Sequence, residues 1–227
     1  MSAYSGTGNL EIMEAAVRYN GFLLGLITPL ASGGKRVVDF GAGSGTFAAE
    51  LQQRKVDVVC VEPDAGLRQA LEAKGLRACA DLKGIARESI DLAYSFNVLE
   101  HVEDDAAALR ELRRVLKPGG RLLLYVPAFM ILYSAMDRRI GQVRRYRKNA
   151  LVALVQRARF AVDDVRYADS LGFVAALAFK TVGPPSGELS PRAVRVYDKY
   201  LFPLSRALDV CLDPVIGKNL VLRATRT

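Results

Sequence analysis

The sequence predicts an α/β fold in which helices cover both faces of a mostly parallel sheet. Short β-branched runs alternate with helix-like segments through the first two thirds of the chain. Glycine or proline marks several boundaries between them, as at Gly33-Gly34, Pro63 and Gly75. Strands that alternate with helices are typical of βαβ units, which build a doubly wound parallel sheet.

The first 127 residues are expected to form a helix followed by five strands with helices between them. Asn9 can cap the first helix, and Glu11 and Glu14 would lie near its positive end. Three carboxylates at 103–105 favour the start of a later helix in the same way. The strands are expected over 35–40, 56–61, 76–79, 90–96 and 121–126, and the helices over about 10–28, over 46–54, after Pro63 and after 103–105.

After Pro127 the pattern changes. An irregular stretch over 128–146 leads to a helix around 148–160 and a strand over 161–168. Residues 171–216 are apolar and mostly helical in pattern, with breaks at Pro184-Pro185 and at Pro203. Residues 219–225 indicate a seventh and final strand.

Composition excludes several classes of protein. The 227 residues are 51% hydrophobic, which suits one α/β domain. A single histidine, His101, excludes a histidine-rich metal site, and three cysteines without a CxxC pair indicate buried thiols, so no metal is expected. No apolar run approaches the ~20 residues that span a bilayer, and no secretory signal is visible, so we expect a cytoplasmic protein.

The positive charge is concentrated in the second half. The formal net charge is +8. Residues 1–120 carry 14 basic and 16 acidic side chains, a net charge of −2, whereas residues 121–227 carry 18 and 8, a net charge of +10. A partner attracted by positive charge should therefore meet the second half.

The most informative segment is Val37–Gly45, VVDFGAGSG. A strand delivers Asp39, and then Gly41, Gly43 and Gly45 turn the chain into a helix. Glycines at such a turn let backbone N–H groups approach a ligand beyond the carboxyl end of the strand. The dinucleotide fingerprint requires a glycine at its sixth position, where Thr46 stands, so that fingerprint fails.

The run Asp-x-Gly-x-Gly-x-Gly instead resembles motif I of the class I S-adenosylmethionine-dependent methyltransferases. Glu62 ends the second strand, where that family's acid binds both ribose hydroxyls. Asp81, in the run CADL with Leu82, matches the family's third-strand acid, which accepts the adenine amino hydrogens. The segments 91–101 and 112–126 look like the family's fourth and fifth strands, so the resemblance covers roughly 35–127.

This resemblance implies a Rossmann-like fold with a seven-stranded sheet, an antiparallel final strand and a helical insertion before it. It implies S-adenosyl-L-methionine as cofactor and S-adenosyl-L-homocysteine as product. The cofactor residues it implies are Asp39, Gly41, Gly43, Gly45, Glu62, Asp81, Leu82 and Asn97, together with Tyr19 on an N-terminal helix that would cover the cofactor. The expected organisation is a single domain over 1–227, with a helical lid at 1–34, a cofactor half at 35–127, an acceptor half at 128–216 that includes the insertion 171–216, and the last strand at 217–227.

The reaction of this family needs alignment of nucleophile, methyl and sulfur more than covalent help from the protein. A general base matters only when the acceptor keeps its proton at neutral pH. His101 lies just past the fourth strand and is the candidate base or positioning group. A histidine at a helix start that bonds only to backbone is an equally open interpretation.

Candidate acceptor residues fall in the basic run 137–148, DRRIGQVRRYRK, which has six basic side chains and one acid. Arg144 and Arg145, beside Tyr146, suit a phosphate, carboxylate or pyrophosphate. A solvated basic loop is the alternative. Tyr133 joins the predicted set because Tyr-x-x-x-Asp followed by Arg-Arg-Tyr resembles lipid, glycan and natural-product members of the family, although those often have His where Gln142 stands.

The insertion carries an apolar stripe at helical spacing. It consists of Tyr197, Tyr200, Leu201, Leu204, Leu208 and Cys211, with basic residues on other faces. We expect this stripe to pack on its own domain or to cover the acceptor pocket. A contact with an anionic membrane surface is the alternative.

Together these features predict a methyltransferase for a small-molecule or lipid-like, anionic acceptor. Two alternatives stay open. The pI near 9.5 would also suit an RNA methyltransferase, but no appended RNA-binding domain is seen, and Asn97 is not followed by the Pro-Pro-aromatic signature of many amine methylases, so nucleic acid is not the expected partner. The other alternative is a catalytically silent cofactor-binding subunit of a complex.

Overall fold

The computed structural model describes residues 12–182, 184, 186–188 and 190–227. The predicted cap Asn9 and the acid Glu11 lie outside these residues. Residues 12–14 are helical, but the chain leaves the helix at 15–16 and the long helix runs over Val17–Ala31, so the predicted continuous helix over 10–28 is wrong at this break.

The structure contains the seven predicted strands. Their bounds are β1 Arg36–Phe40, β2 Asp57–Val61, β3 Arg77–Cys79, β4 Ile90–Phe96, β5 Leu116–Pro127, β6 Phe160–Ala168 and β7 Asn219–Arg226. The order across the sheet is β3-β2-β1-β4-β5-β7-β6. β7 pairs antiparallel with both β5 and β6, and the other pairs are parallel. The predicted mostly parallel sheet with an antiparallel final strand is therefore confirmed.

The described α-helices lie on both faces of the sheet. Their bounds are α1 Val17–Ala31, α2 Thr46–Gln53, α3 Ala65–Ala73, α4 Asp105–Val115, α5 Ala135–Arg139, α6 Lys148–Arg157, α7 Ser170–Val182, α8 Pro191–Val196 and α9 Phe202–Leu212. One hydrophobic cluster joins α4 and α6 to one face, and a second joins α1, α2, α3 and α9 to the other. Successive residues of β1 illustrate the alternation, since Val37 enters one cluster and Val38 the other.

The predicted break at Pro203 is wrong. A π-helical turn over Tyr197–Leu201 joins α8 to α9, and Pro203 lies in the first turn of α9. A first-turn proline is tolerated because its missing N–H would have no helical partner, and a π-turn can absorb the irregularity just before it. The segment therefore continues as one rod from Pro191 to Leu212.

The exposure of the apolar stripe and of the cysteines differs from what the sequence predicts. Of the predicted stripe, Tyr200, Leu201, Leu204 and Leu208 face outward and are exposed. Cys211 is exposed as well, whereas Cys60 is buried and Cys79 half-buried, so the three cysteines are not all buried thiols. Tyr197 packs against the second hydrophobic cluster, so the expected packing of the stripe on its own domain holds for this residue and is wrong for the exposed ones. None of the described helices is long and apolar enough to cross a membrane.

Candidate active site

The glycine turn is shaped by its backbone hydrogen bonds. The N–H groups of Gly41 and Ala42 both donate to the carbonyl oxygen of Val61, at 2.8 and 3.2 Å. Gly41, Gly43 and Gly45 all have positive φ, between 55° and 83°. A Cβ on Gly41 would lie 2.2 Å from Cγ2 of Val98, so this glycine is required by both its φ angle and its close neighbour.

Glu62 holds the turn against the end of β2. Its Oε2 accepts from the N–H of Gly43 at 2.9 Å, and its Oε1 accepts from the N–H of Asp64 at 3.0 Å. The side chain is buried, and each oxygen keeps a further lone pair. A carboxylate fixed in this way can accept two hydrogen bonds from a vicinal diol. The residues present therefore fit the ribose of a nucleoside cofactor.

Asp39 is buried beneath the same turn and accepts a hydrogen bond from Tyr94. The Tyr94 hydroxyl donates to Oδ2 of Asp39 at 2.7 Å. Burial, reinforced by the negative charge of Glu62, raises the pKa of the Asp39 carboxyl to about 7, although the Tyr94 hydrogen bond acts in the opposite direction. A bound cation would favour the ionised form of this acid.

The predicted adenine residues lie at the carboxyl end of β3. The Asp81 side chain is exposed, and its Oδ1 accepts from the N–H of Lys83 at 2.9 Å. Leu82 is buried, and its carbonyl accepts from the Arg114 guanidinium at 2.6 Å. The bond from Arg114 on α4 thus holds the chain after β3 in place, while the Asp81 side chain stays accessible to a ligand. Its role as an adenine contact stays a prediction.

Tyr19 and Asn97 meet between α1 and the end of β4. The Asn97 amide donates to the Tyr19 hydroxyl at 3.4 Å, and the Asn219 amide donates to Oδ1 of Asn97 at 3.3 Å. Asn97 has a φ of 54°, the left-handed conformation that asparagine tolerates better than most residues. Burial raises the pKa of Tyr19 to about 12, so its hydroxyl stays protonated. The structure thus brings these two predicted cofactor residues together.

His101 follows β4 in a short 3₁₀ turn, Leu99–His101, and is partly buried. Burial lowers the pKa of its imidazole, and hydrogen bonds to the backbone at Gly141 and Ile140 oppose that shift. The ring is therefore neutral at pH 7 and lies against the loop that links α5 to α6. These backbone bonds are what the alternative interpretation of His101 expects. A neutral imidazole can also accept a proton, and its role as a base stays a prediction.

The four predicted acceptor residues are held mainly by contacts within the protein. Arg144 donates to Oδ2 of Asp105 at 2.7 Å, and the buried Arg145 donates to Oδ1 of Asp137 at the same distance. Buried Tyr146 donates to the same Asp105 oxygen at 3.0 Å. The hydroxyl of Tyr133 donates to the carbonyl of Gln142 at 2.6 Å. The two arginines have carboxylate partners already, so an anionic acceptor would have to compete with them.

Sequence reasoning missed Glu100, which precedes His101. It is fully buried, and neither carboxylate oxygen has a hydrogen-bond partner among the described residues. Burial raises its pKa to about 8, with the Arg145 guanidinium acting in the opposite direction and Asp137 in the same one. Nothing in the sequence around an acid beside a histidine indicates that the acid is buried. The burial of Glu100 is seen only in the structure, where the α5–α6 loop packs over this turn.

A cavity of about 300 Å³ opens on the acceptor side. It is lined by Tyr133, Ser134, Ala135, Arg138, Phe179, Lys180 and Pro184. Arg138 and Lys180 place two cations beside the rings of Tyr133 and Phe179. The hydroxyl of Tyr133, in the lining of the cavity, bonds to Gln142, and His101 bonds to the backbone of the preceding residue, Gly141. The loop between α5 and α6 therefore contacts both the cavity lining and the histidine.

The strand order and the glycine turn after β1 are those of the Rossmann-like fold that methyltransferases share. Residues 38–124 match the family model described as a methyltransferase domain. The resemblance seen in the sequence is therefore confirmed over these residues, which are less than half of the chain.

Known proteins are similar to this chain in two ways. An uncharacterized methyltransferase of Mycobacterium sp. (strain KMS) is 37% identical over 102 residues, which are 43% of this chain and 40% of that relative. An S-adenosylmethionine-dependent methyltransferase from Mesorhizobium loti has a similar structure, with a TM-score of 0.60, 20% identity and coverage of 90% of this chain and 96% of that one. Geranyl diphosphate C-methyltransferase from Streptomyces coelicolor A3(2) gives a TM-score of 0.65 at 12% identity, with coverage of 91% and 78%. The sequence match thus spans less than half of the curated relative, and the structural matches show the fold.

Proposed function

We propose that this protein transfers a methyl group from S-adenosyl-L-methionine to an anionic small-molecule or lipid-like acceptor. The observation that carries the proposal is the Glu62 carboxylate, bonded to Gly43 beneath a turn of three positive-φ glycines. This pairing fixes an acid where a ribose can bind and leaves its second lone pairs available. The methyltransferase-domain match over 38–124 supports the same cofactor.

The chemistry asks for alignment more than for acid or base groups. The cofactor would supply a methyl group activated by a sulfonium, and the C–S electron pair would return to sulfur as the acceptor atom bonds to carbon. Glu62 and the glycine turn would hold the nucleoside end of the cofactor. Tyr19 on α1 and Asn97 after β4, which bond to each other, would close the site on another side. Where the acceptor atom carries a proton, the neutral His101 imidazole would take it.

The cavity beside Tyr133 supports an anionic, partly apolar acceptor. Arg138 is exposed, and no acid among the described residues forms an ion pair with it. Lys180 donates to the carbonyl of Ile131 and keeps its full charge. Two cations beside aromatic walls suit a charged head group with an apolar body. The diphosphate-bearing acceptor named for the Streptomyces coelicolor neighbour shows that such acceptors occur on this fold.

An RNA substrate is less well supported by the placement of the arginines. A groove of about 290 Å³ is lined by Arg87, Arg110, Arg113, Arg114, Arg157, Ala158 and Arg159. These residues precede β4, β5 and β6, so the groove lies at the amino ends of parallel strands. The glycine turn lies at the opposite, carboxyl ends. A nucleic acid bound in this groove would not bring a base to the methyl group.

Turnover with defined acceptors tests the proposal. The purified protein, with S-adenosyl-L-methionine, is incubated with prenyl phosphates, carboxylated lipids or bulk tRNA, and S-adenosyl-L-homocysteine is measured. We expect release with an anionic amphiphile, and a higher KM for it in Arg138→Ala and Lys180→Ala, but not in Arg157→Ala. Release with tRNA alone would support the RNA alternative. Cofactor binding without turnover on any acceptor class would support the silent subunit instead.

A further inference from the structure

The rod formed by α8, the π-turn and α9 presents an apolar stripe outward, although Phe202 on its inward side is buried in the second hydrophobic cluster. Its outward side carries apolar residues at helical spacing, with Tyr200 62%, Leu204 52% and Leu208 39% exposed. The stripe continues through Leu212 to Val215, which is 71% exposed. A helix that covers a domain normally turns such a stripe inward. Here it faces away from the sheet.

The inward side of the rod carries acids and a hydroxyl that fix this orientation. Asp209 accepts from the N–H groups of Asp169 and Ser170 at 2.8 and 2.9 Å. Asp198 and Ser205 are buried on the same side. Rotating the rod to bury its apolar stripe would break these bonds and leave buried acids unpaired, which is costly. The outward stripe is therefore a fixed feature of the fold.

The neighbouring helix α7 extends the apolar surface. α7 packs on α9, and its own outward residues include Val174, Leu177 and Val182. It also contacts the 3₁₀ turn Met130–Leu132, where Met130 and Ile131 are exposed. Contiguous exposed apolar area of this kind marks a surface that binds a partner or a membrane.

The charges around this surface identify the partner. Arg192, Arg195 and Lys199 are exposed along α8 and the π-turn, and Lys199 lies 5.1 Å from the centre of the Tyr200 ring. The acids of the rod, Asp198 and Asp209, are buried and bonded to backbone N–H groups, so they offset little of this charge at the surface. A second copy of the chain would bring like charges together, whereas anionic lipid head groups would neutralise them.

We propose that α7 and the α8–α9 rod dock the protein on an anionic phospholipid bilayer. The leucines of the rod would enter the boundary between head groups and acyl chains, roughly 5–10 Å deep, as interfacial helices do. Arg192, Arg195 and Lys199 would contact lipid phosphates. This inference stands apart from the methyl-transfer proposal, because it depends on none of the cofactor residues.

Co-sedimentation with vesicles tests it on the full chain. Vesicles of phosphatidylcholine with roughly 30% of the anionic phosphatidylglycerol attract basic side chains and should bind the wild type. Vesicles of pure phosphatidylcholine should bind it weakly. The triple variant R192E/R195E/K199E should lower binding by about tenfold or more. The matched variant R87E/R110E/R157E, which makes the same change of charge in the groove at the amino ends of β4, β5 and β6, should retain binding. Equal losses in both variants would overturn the proposal.

A fluorescent reporter tests the apolar contact separately. The chain contains no tryptophan, so Leu204→Trp provides a single emitter on the stripe and Gln156→Trp provides one on α6. Anionic vesicles should shift the emission of the first variant to the blue and leave the second unchanged. No shift in either, or an equal shift in both, would contradict docking by the rod. Vesicle-free dimerisation that L204S/L208S abolishes would instead assign the stripe to a second copy.

Discussion

Tyr94 and Asp39 stand directly opposite each other on β4 and β1 and share a hydrogen bond of 2.7 Å beneath the glycine turn. The acid lies where a cationic cofactor would bind, and burial raises its pKa from the ordinary 3.8 to about 7. Its ionisation therefore falls within the range of pH in which the protein would work.

The first prediction is a pH dependence of cofactor affinity. Asp39 is increasingly ionised as the pH rises through about 7, so a cationic ligand should bind more tightly at pH 8 than at pH 6. Calorimetric titration of the wild type and of Asp39→Asn checks this. The variant should bind weakly with a flatter profile; two parallel profiles would show that another group carries the dependence.

The second prediction concerns the bridging acid. Glu62→Gln replaces one of the carboxylate oxygens with a donor, which cannot accept both a backbone N–H and a hydroxyl. The affinity for S-adenosyl-L-methionine should fall by at least about tenfold, the equivalent of about 1.4 kcal/mol. Glu72→Gln, an exposed acid on α3, is the matched control and should bind normally. An unchanged affinity in Glu62→Gln would remove the basis of the cofactor assignment.

The third prediction separates two reasons for glycine in the turn. Gly41→Ala places a Cβ against Val98 at a φ of +83° and should lower both stability and cofactor affinity. Gly33→Ala has a φ of +85° with open space around it, so it measures the cost of the angle alone, roughly 1–2 kcal/mol. Thermal melts of both variants, with Val98→Ala added to Gly41→Ala, give the cost of the clash. Equal melting temperatures for Gly41→Ala and Gly33→Ala would show that the Val98 side chain moves aside at no measurable cost.

The fourth prediction follows from the buried Glu100. Its pKa of about 8 exceeds the ordinary 4.5, so the folded protein binds a proton that the unfolded chain releases between those values. Stability should therefore fall as the pH rises from about 5 to 8 and then level off. Glu100→Gln removes this loss and should be more stable than the wild type at pH 8, whereas the exposed Glu103→Gln should follow the wild type. Denaturant unfolding at several pH values checks the slope.

The fifth prediction concerns Arg145 and its buried partner. Arg145→Ala leaves the carboxylate of Asp137 buried without its cation, which typically costs ~3–5 kcal/mol. Asp137→Asn added to that variant should recover part of the loss, and Arg147→Ala, an exposed change on the same loop, should cost little. A stable Arg145→Ala variant with a raised KM would restore the view that this arginine binds the acceptor.

The sequence was most informative where backbone geometry dictates residue type. The glycine turn could be predicted because glycine adopts positive φ angles more readily than other residues. The roles of Asp39 and Glu62 were implied by the resemblance to the methyltransferase family and stay predictions. Arg144 and Arg145 could not be read correctly from a count of charges, because their partners Asp105 and Asp137 are set by the packing of a loop over β4. The spacing of apolar residues also could not predict the orientation of α9, since the same amphipathic pattern is compatible with either side of the helix facing the sheet.

Asp198 links the N-terminal helix α1 to the insertion through hydrogen bonds. Its two carboxylate oxygens accept from the N–H groups of Arg18 and Tyr19, at 3.1 and 2.8 Å, and so close the first turn of α1 from a rod almost 180 residues further along the chain. Displacing α1 must either break both bonds or carry the rod with it. We therefore expect helix α1 and the rod that presents leucines outward to move together.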